Sequence, residues 1–487
     1  MRLLVAVPKH RVEQQARVPQ VVISTTGPAH ELPRPHRYRP IMHAFHRLIL
    51  CLVASVPGFV AAQDRPNIIL IMADDFGVEC VGAHGGTSYQ TPNLDQLASS
   101  GMLFHHAYAQ PLCTPTRVQI MTGQSNVRNY TRFGQLEPSQ ITFAHLFRKA
   151  GYATAIVGKW QLGGGFEGPS HFGFDEYCLW QLTRRPSRYP NPGLEINGRE
   201  VNHGEGEYGP KLINDYALDF IARHKDKPFL LYYPMILTHD PIVPTPDSAE
   251  WNPKALKEGE GRDVQHFAAM TAYMDKMIGR LIAELKKHGL REKTLILFTG
   301  DNGTSPSITS KMGDRSVRGG KGSSTNNGIH VPLIASWPGT IPAGARSDDL
   351  VDTTDYLPTL CAAAGIPLPA STPVDGISFL PQLRQQPNPA RRESIYCWYA
   401  REGGSRPTYE FAFDQHYKLY RDGRFYDLKS DGAEQSPLKT SDLPSSIQQQ
   451  HAKLQATLDR FQNTRPAEIA AQRGPARNKA KRKASAD

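Results

Sequence analysis

Apolar, β-rich runs alternate along this chain with segments in which apolar residues recur every three or four positions. The runs predict buried strands over 67–72, 153–157, 229–234, 294–299 and 330–336. The segments between them predict helices over 93–100, 141–150, 211–224 and 264–288. Strands that alternate with helices in this way predict an α/β fold, in which helices sandwich a large, mostly parallel sheet.

Four of the predicted strands are followed by polar residues of an unusual kind. These endings are Asp74-Asp75, Gly158-Lys159-Trp160, Thr238-His239-Asp240-Pro241 and Gly300-Asp301-Asn302-Gly303. In open α/β sheets, ligands bind beyond the carboxyl ends of the strands. We therefore expect the four endings to meet at one edge of the sheet and to form an active site.

The pattern changes after a linker at 381–392 that is rich in Pro, Gln and Arg. Four short β-rich runs follow, and an amphipathic helix is predicted from about 445 to 461. The runs cover 394–399, 409–413, 417–421 and 424–428, with Asp422-Gly423 as a hairpin turn. These elements predict a smaller α+β subdomain over 386–472, after a catalytic domain over 63–385.

The first 62 residues divide into two segments. Residues 1–41 are rich in Pro, Arg and His without periodicity, and we interpret them as an extension upstream of a true start at Met42. From Met42 the chain has a short basic region, an apolar run and a small-residue cleavage site ending at Ala62, which is the layout of a signal peptide. The apolar run is short for a membrane span. We expect a periplasmic or secreted protein without a stable membrane anchor.

The net charge of +10 comes from the two ends of the chain rather than from its centre. Residues 1–62 carry eight Lys or Arg and two Glu, and residues 473–487 carry six Lys or Arg and one Asp. The remainder, 63–472, is therefore close to neutral, and no nucleic-acid partner is expected. We predict that 473–487 is a disordered basic tail. A hydrophobic content of 39% is enough for a large core.

Five cysteines follow the predicted signal peptide: Cys80, Cys113, Cys178, Cys361 and Cys397. Their wide and irregular spacing excludes a compact zinc cluster and does not demand disulfides.

One of them opens the most informative motif of the chain. Residues 113–123 read Cys-Thr-Pro-Thr-Arg-Val-Gln-Ile-Met-Thr-Gly, with fixed types at Cys113, Pro115, Arg117 and Thr122-Gly123. This run resembles the signature of the sulfatase family, which belongs to the alkaline phosphatase-like superfamily. The resemblance extends from about Arg65 to Leu438. A half-buried cysteine ahead of a helix is the plainer alternative, but it does not account for the matching segments downstream.

The resemblance implies a modified nucleophile. In this family a maturation enzyme oxidises the cysteine, here Cys113, to formylglycine, and the hydrated aldehyde attacks the sulfur of the ester. A second hydroxyl of the same hydrate then expels sulfate.

The resemblance also implies a metal site. Oxygen ligands without a His and Cys set indicate calcium or magnesium rather than zinc, although adjacent carboxylates at a strand end can also cap a helix. In the family one calcium ion is held by the residues matching Asp74, Asp75, Asp301 and Asn302, together with the modified Cys113; magnesium is the second choice.

Four further residues take roles by the same resemblance. Arg117, one helical turn after Cys113, would hold the formylglycine and share in anion binding. Lys159 and Lys321, each beside glycine, would contact the sulfate. His239 is the candidate general acid for the leaving oxygen, because its side chain titrates near neutral pH.

These residues predict an exported, calcium-dependent sulfatase that acts on a sulfated sugar or polysaccharide. One alternative is a phosphonate monoester or phosphodiester hydrolase of the same superfamily. Another is a glycan-binding relative without activity. Ordinary two-metal phosphatase chemistry is disfavoured, because no additional set of His and Asp ligands is found.

The chain departs from the family pattern in several places. Gln161 stands where the family commonly has the His that collapses the hydrate, so another residue, such as His84, His106 or His330, would have to serve, or turnover is slow. The segment 323–332 replaces a commonly acidic stretch, and Thr116 stands where Ser is also common. A Pro-rich insertion carries Arg184, Arg185, Arg188 and Tyr189, which would either grip an acidic glycan or form an exposed basic loop.

Overall fold

The structure is a computed structural model that describes residues 65–254 and 264–472. The predicted extension over 1–41, the predicted signal peptide over 42–62 and the predicted tail over 473–487 lie outside the described residues. Within the two described ranges, no helix is long and apolar enough to cross a membrane.

Strands and helices alternate through most of the described chain. The strands are β1 (Asn67–Ala73), β2 (Met102–Tyr108), β3 (Ala153–Lys159), β4 (Glu176–Trp180), β5 (Gly193–Ile196), β6 (Arg199–Asn202), β7 (Phe229–Pro234), β8 (Thr294–Gly300), β9 (Thr309–Met312), β10 (Arg315–Arg318), β11 (His330–Ser336), β12 (Ala345–Asp352), β13 (Ile395–Tyr399), β14 (Tyr409–Phe413), β15 (Tyr417–Tyr420) and β16 (Phe425–Asp427). The α-helices are α1 (Pro92–Ser99), α2 (Cys113–Thr122), α3 (Asn126–Asn129), α4 (Phe143–Lys149), α5 (Gly168–His171), α6 (Gly209–Arg223), α7 (Phe267–Lys287), α8 (Asn326–Ile329), α9 (Tyr356–Ala363), α10 (Leu380–Leu383), α11 (Ser445–Phe461) and α12 (Ala467–Ala471).

Ten of these strands form one sheet, in the order β12-β2-β11-β8-β1-β7-β3-β4-β5-β6. The central strands β8, β1, β7, β3 and β4 run parallel, as do β12 and β2 at one edge. Strand β11 is antiparallel to both its neighbours, and β5 and β6 add an antiparallel extension at the other edge. The predicted α/β fold with a large, mostly parallel sheet is confirmed.

Side chains of β1 alternate between two hydrophobic cores, one on each face of the sheet. Ile68, Leu70 and Met72 belong to the core that also contains residues of α2, α4 and α9. Ile69 and Ile71 belong to the core that contains residues of α1, α6 and α7. Because helices cover both faces, a central strand must be apolar at every position, which is why these strands appear as continuous apolar runs.

Every predicted strand and helix of the described chain is present, with ends within three residues of the prediction. The prediction omitted five strands of the main sheet: β2, β4, β5, β6 and β12. Strand β2 carries two adjacent histidines in its middle, and β12 is a half-exposed edge strand rich in charged residues. Neither has the continuous apolar pattern that marks the central strands.

The four short strands near the end of the chain form a separate antiparallel sheet in the order β13-β14-β15-β16. Helix α11 packs on one face of this small sheet. The other face packs on Tyr108 of β2, on Leu112 and on Ile329, in a core of its own. The predicted C-terminal α+β unit is therefore present, and the boundary between 385 and 386 stays a prediction.

Candidate active site

The carboxyl ends of β1 and β8 bring Asp74-Asp75 and Asp301-Asn302 together. Ala73 lies opposite Gly300 in the parallel ladder, so that the residues after each strand emerge at the same level. The backbone N–H of Asp75 donates to Oδ1 of Asp301 at 3.0 Å. The convergence of strand ends that the sequence predicts is confirmed here.

Asp74 is fully buried and is surrounded by cations. Lys159, at the end of β3, donates to its two carboxylate oxygens at 2.9 and 2.8 Å, and Arg117 Nη2 lies 4.0 Å from Oδ1. Burial alone would raise the pKa of Asp74, but Lys159, His239 and Arg117 outweigh it and hold that pKa well below its usual range. Asp74 is therefore a carboxylate.

Asp75 has a different set of polar partners. Lys321 Nζ donates to its Oδ2 at 2.5 Å, His239 Nε2 lies 3.7 Å from the same oxygen, and Asn302 Nδ2 donates to Oδ1 at 2.9 Å. Burial would raise its pKa, but His239 and Lys321 lower the pKa below its usual value. The backbone of Asp75 is left-handed, with φ of 61°, a conformation that Asp adopts more readily than most residues.

Arg117 links helix α2 to the ends of two strands. Its Nη2 donates to Oδ2 of Asp301 at 3.0 Å, and its Nη1 donates to the carbonyl of Lys159 at 3.0 Å. Only 1% of the side chain is exposed, and its Nε has no hydrogen-bond partner among the described residues. The guanidinium thereby holds β3, β8 and α2 in a fixed arrangement around the site.

Cys113 is the first residue of α2 and is 1% exposed. Its Sγ lies 3.6 Å from Oδ1 of Asp74 and 3.8 Å from Oδ1 of Asp75. Burial, and after it the charge of Asp301, raises the pKa of the thiol above its ordinary value. A neutral thiol is a poor nucleophile, so the unmodified side chain is badly suited to attack an ester.

The donor set fits a hard divalent cation. Potential ligand atoms of Asp74, Asp75, Cys113 and His239 all lie within 4.8 Å of one another. Asn302 Oδ1 is buried and accepts no hydrogen bond within the described ranges, so it is an oxygen without an electropositive partner. Several carboxylate and amide oxygens in one buried place suit calcium or magnesium better than zinc.

His239 has a fixed tautomer. Its Nδ1 donates to the backbone carbonyl of Asp240 at 2.8 Å, so that Nε2 is the atom that faces Asp75. The hydroxyl of Tyr189 donates to the carbonyl of His239 at 2.5 Å and fixes the segment from behind. Burial lowers the pKa of His239 to about 4, although Asp75 and Asp74 oppose this. The imidazole is neutral at pH 7 in this arrangement.

Glycines beside both lysines allow the backbone to approach closely. Gly158 has φ of +123°, and a Cβ there would lie 1.9 Å from the carbonyl oxygen of Pro234. A Cβ on Gly320 would lie 2.6 Å from the carbonyl carbon of Asn327. A larger residue at either position would displace the lysine next to it.

The structure does not connect the three candidate replacement bases to the site. Among the described residues, no hydrogen bond or ion pair joins His84, His106 or His330 to Cys113 or to the aspartates. His330 Nε2 instead contacts the carbonyl of His105 at 2.8 Å, and its ring stacks on Tyr108. Which residue serves in place of the usual His stays a prediction.

Gln161 itself adopts a left-handed backbone, with φ of 57°, and is 6% exposed. Its Oε1 is buried and has no hydrogen-bond partner in the described part of the chain.

The arginines of the basic insertion between β4 and β5 have different surroundings. Arg188 is 7% exposed, and its Nη1 lies 3.7 Å from Oδ2 of Asp74. Arg184 pairs with Glu200 at 3.3 Å, and Arg185 is exposed. The sequence did not distinguish Arg188 from its neighbours, because a Pro-rich segment without periodicity does not indicate its path.

The sequence is similar to that of proteins of known families. A family model described as Sulfatase matches residues 66–366, and a model described as N-sulphoglucosamine sulphohydrolase, C-terminal, matches 321–464. Arylsulfatase A of Homo sapiens is 34% identical over 378 residues, which are 70% of this chain and 71% of that protein. N-acetylgalactosamine-6-sulfatase of Canis lupus familiaris is 32% identical over 372 residues, covering 69% of each chain.

Among solved structures, Ps i-CgsB in complex with k-i-k-neocarrahexaose superposes with a TM-score of 0.70 at 26% identity. The match covers 85% of this chain and 95% of that chain.

Proposed function

This chain belongs to the sulfatase family and is a sulfuric ester hydrolase, and we propose that it releases sulfate from a sulfated carbohydrate outside the cytoplasm. One observation carries the proposal. Cys113 lies buried against Asp74 and Asp75, while three cations surround these carboxylates and Asp301. This arrangement suits a modified side chain that attacks an anionic ester.

We propose that a maturation enzyme converts Cys113 to formylglycine. The neutral, buried thiol supports this, because an unmodified Cys113 would have little thiolate character. The hydrated aldehyde would supply a hydroxyl nucleophile that needs no thiolate.

Asp74, Asp75, Asp301 and Asn302, with the modified Cys113, would hold one calcium ion, with magnesium as second choice. The unpartnered Oδ1 of Asn302 supports this assignment. A bound divalent cation would supply charge neutralisation for the sulfate and polarise the attacking hydroxyl.

Three cations of the chain neutralise developing charge. Lys159 and Lys321 are compact donors on two sides of the aspartates and would bind non-bridging oxygens of the sulfate. Arg117 is held by Asp301 and the carbonyl of Lys159, so it would keep the nucleophile in position rather than move with the substrate.

His239 would act at the leaving oxygen. Because Nδ1 donates to the carbonyl of Asp240, a proton taken up in the substrate complex would be held at Nε2, and the resulting imidazolium would give this proton to the departing alcohol. Lys159 is the second candidate for this proton.

The substrate class rests on similarity. The relatives include an N-acetylgalactosamine-6-sulfatase, and a structural neighbour was solved in complex with k-i-k-neocarrahexaose. We infer a sulfated sugar or polysaccharide as substrate. Export rests on the predicted signal peptide at 42–62. The sequence left two alternatives open: a phosphonate or phosphodiester hydrolase, and a glycan-binding protein without activity. No specific observation favours either of them.

The first test is mass spectrometry of the peptide that contains Cys113, from protein exported by a host with maturation machinery. We expect oxygen in place of sulfur at this residue. Sulfate release from a panel of sulfated sugars should then be lost in Cys113→Ala and kept in Cys361→Ala, which alters another buried cysteine, in helix α9. Equal activity of Cys113→Ala and the wild type would overturn the proposal, and so would cleavage of phosphonates without any sulfate release.

A further inference from the structure

Three carboxylates of the site each pair with one cation, and Arg188 is an additional cation without a carboxylate of its own. Lys159 pairs with Asp74 at 2.8 Å, Lys321 with Asp75 at 2.5 Å, and Arg117 with Asp301 at 3.0 Å. Arg188 is a fourth cation.

The nearest carboxylate to Arg188 is Asp74, at 3.7 Å, and that carboxylate already accepts both hydrogen bonds from Lys159. The Nη1 of Arg188 is buried and donates no hydrogen bond to any described residue. A buried N–H of a charged group without an acceptor is costly, and such groups usually have a partner in the working protein.

The guanidinium of Arg188 is held in place rather than free to turn toward solvent. Its central carbon lies 3.8 Å from the centre of the Trp180 ring, and the indole N–H of Trp180 donates to the carbonyl of Pro186 at 2.9 Å. The next residue, Tyr189, is anchored by its hydroxyl to the carbonyls of Ile236 and His239. This preorganisation is typical of an arginine that binds a ligand, because little side-chain entropy is lost on binding.

We propose that Arg188 is a substrate-binding residue that selects esters with a second anionic group close to the scissile sulfate. The inference rests on the proposed function. A sulfate monoester brings one negative charge, and Lys159 and Lys321 are the two residues already proposed to bind it. The additional, fixed guanidinium therefore matches a second oxyanion on the sugar, since its fork of N–H groups fits a carboxylate or a sulfate.

The second anion would lie on the alcohol part of the ester, because a scissile sulfate monoester itself brings a single charge. Arg188 Nη1 lies 3.7 Å from Oδ2 of Asp74, the same oxygen that Lys159 contacts, so a group bound by Arg188 would be close to the reacting centre. The second anion would thus belong to the sugar that leaves, either as the carboxylate of a uronic acid or as another sulfate of a disulfated sugar.

The test compares matched substrates. A panel of monosulfated hexoses is assayed beside the same sugars carrying a second sulfate, and beside the corresponding monosulfated uronic acids. We expect the wild type to prefer at least one dianionic series by about tenfold or more in kcat/KM, the worth of one hydrogen bond between charged groups. The Arg188→Met variant should lower this preference ratio by about tenfold or more. If Arg188→Met loses the preference for disulfated sugars, the second anion is a sulfate. If it loses the preference for monosulfated uronic acids, the second anion is a carboxylate.

Two more variants control for folding and for general charge. Arg188→Lys keeps the charge without the planar fork and should retain part of the preference. Arg185→Met removes an exposed arginine of the same insertion and should leave the ratio as in the wild type. A ratio unchanged in both Arg188 variants would overturn the inference, as would a wild type that cleaves 4-nitrophenyl sulfate and monosulfated sugars without preferring dianions. No release of sulfate from any of these esters, by protein with modified Cys113, would instead overturn the proposed function.

Discussion

Lys159 donates to both carboxylate oxygens of Asp74, and the two side chains are 1% and 0% exposed. The pair joins the end of β3 to the end of β1 across the intervening β7. Each charge would be strongly destabilising alone in this position, because desolvation of an unpaired ion costs several kcal/mol. The pair therefore holds the site together, and under the proposed function it would also keep an ammonium group in place for the substrate.

Replacing that ammonium should damage catalysis and stability together. Lys159→Met is expected to lower kcat/KM for sulfate release by about 10²-fold to 10⁴-fold, since it removes a positive charge at the reacting group. It should also reduce the free energy of unfolding by about 1–3 kcal/mol in chelator-treated protein, because Asp74 loses both hydrogen bonds from Lys159 while Arg188 and Arg117 stay 3.7 and 4.0 Å away. Sulfate-release kinetics and urea denaturation measure the two effects. Lys276→Met, which breaks an exposed ion pair with Asp247, serves as the control and should change neither.

Calcium should stabilise the protein through Asn302. At a concentration about 100 times the dissociation constant, the ion should add about 2.7 kcal/mol to the free energy of unfolding. Asn302→Leu keeps the approximate size but removes the unpartnered Oδ1, and should abolish most of this gain. Thermal unfolding with and without calcium, after chelator treatment, provides the measurement. If calcium stabilises Asn302→Leu as much as the wild type, Asn302 is not a calcium ligand. Asp247→Asn changes an exposed acid and serves as the control, which calcium should stabilise as much as the wild type.

Restoring the usual histidine at position 161 should accelerate turnover. Gln161 lies in the left-handed region with φ of 57°, where His is also comparatively frequent, so the exchange is compatible with the backbone. An imidazole there could accept the proton that collapses the hydrate. We expect Gln161→His to raise kcat by about tenfold if that step limits the rate. Gln161→Asn, an amide without basicity, should show no gain. An unchanged kcat in Gln161→His would mean that another group already removes this proton.

Stability at acid pH should depend on Glu176, which joins β4 to α6. Arg223 donates to it at 2.6 and 3.0 Å, Tyr216 donates at 2.8 Å, and His224 contacts it at 3.0 Å. Burial would raise its pKa, but the hydrogen bonds from Arg223, His224 and Tyr216 prevail and lower the pKa to about 2. A lowered carboxyl pKa stabilises the folded state above the ordinary value of 4.5, and the effect is lost as the pH falls toward 2.

Glu176→Gln should therefore lower the free energy of unfolding at pH 7 by about 1–2 kcal/mol, allowing for solvent screening of a partly exposed group. The difference from the wild type should shrink between pH 4.5 and 2. Urea denaturation across this range measures it. A difference that stays constant with pH would show that packing, not charge, is responsible, and Glu250→Gln, an exposed acid, provides the baseline.

Much of the site could be predicted because it lies at the ends of buried strands. A continuous apolar run that ends in Asp74-Asp75 or Asp301-Asn302 indicates both a central parallel strand and a group of ligand oxygens at its carboxyl end. The antiparallel direction of β11 could not be predicted, since a buried strand has the same apolar pattern in either direction. The path of Arg188 was also hidden, because it depends on stacking with Trp180 and on the anchor of Tyr189 rather than on local pattern.

The burial of Cys113 has a consequence for the order of events during biosynthesis. With 1% of its surface exposed, the thiol is out of reach of any other enzyme once α2 has docked between the strand ends. Two residues that complete its surroundings, Asp301 and Lys321, are synthesised much later than the cysteine itself. The proposed oxidation of Cys113 would therefore be limited to the interval between the emergence of the motif from the ribosome and the folding of the catalytic core. The yield of active enzyme would then depend on the rate of modification of Cys113 relative to the rate of folding.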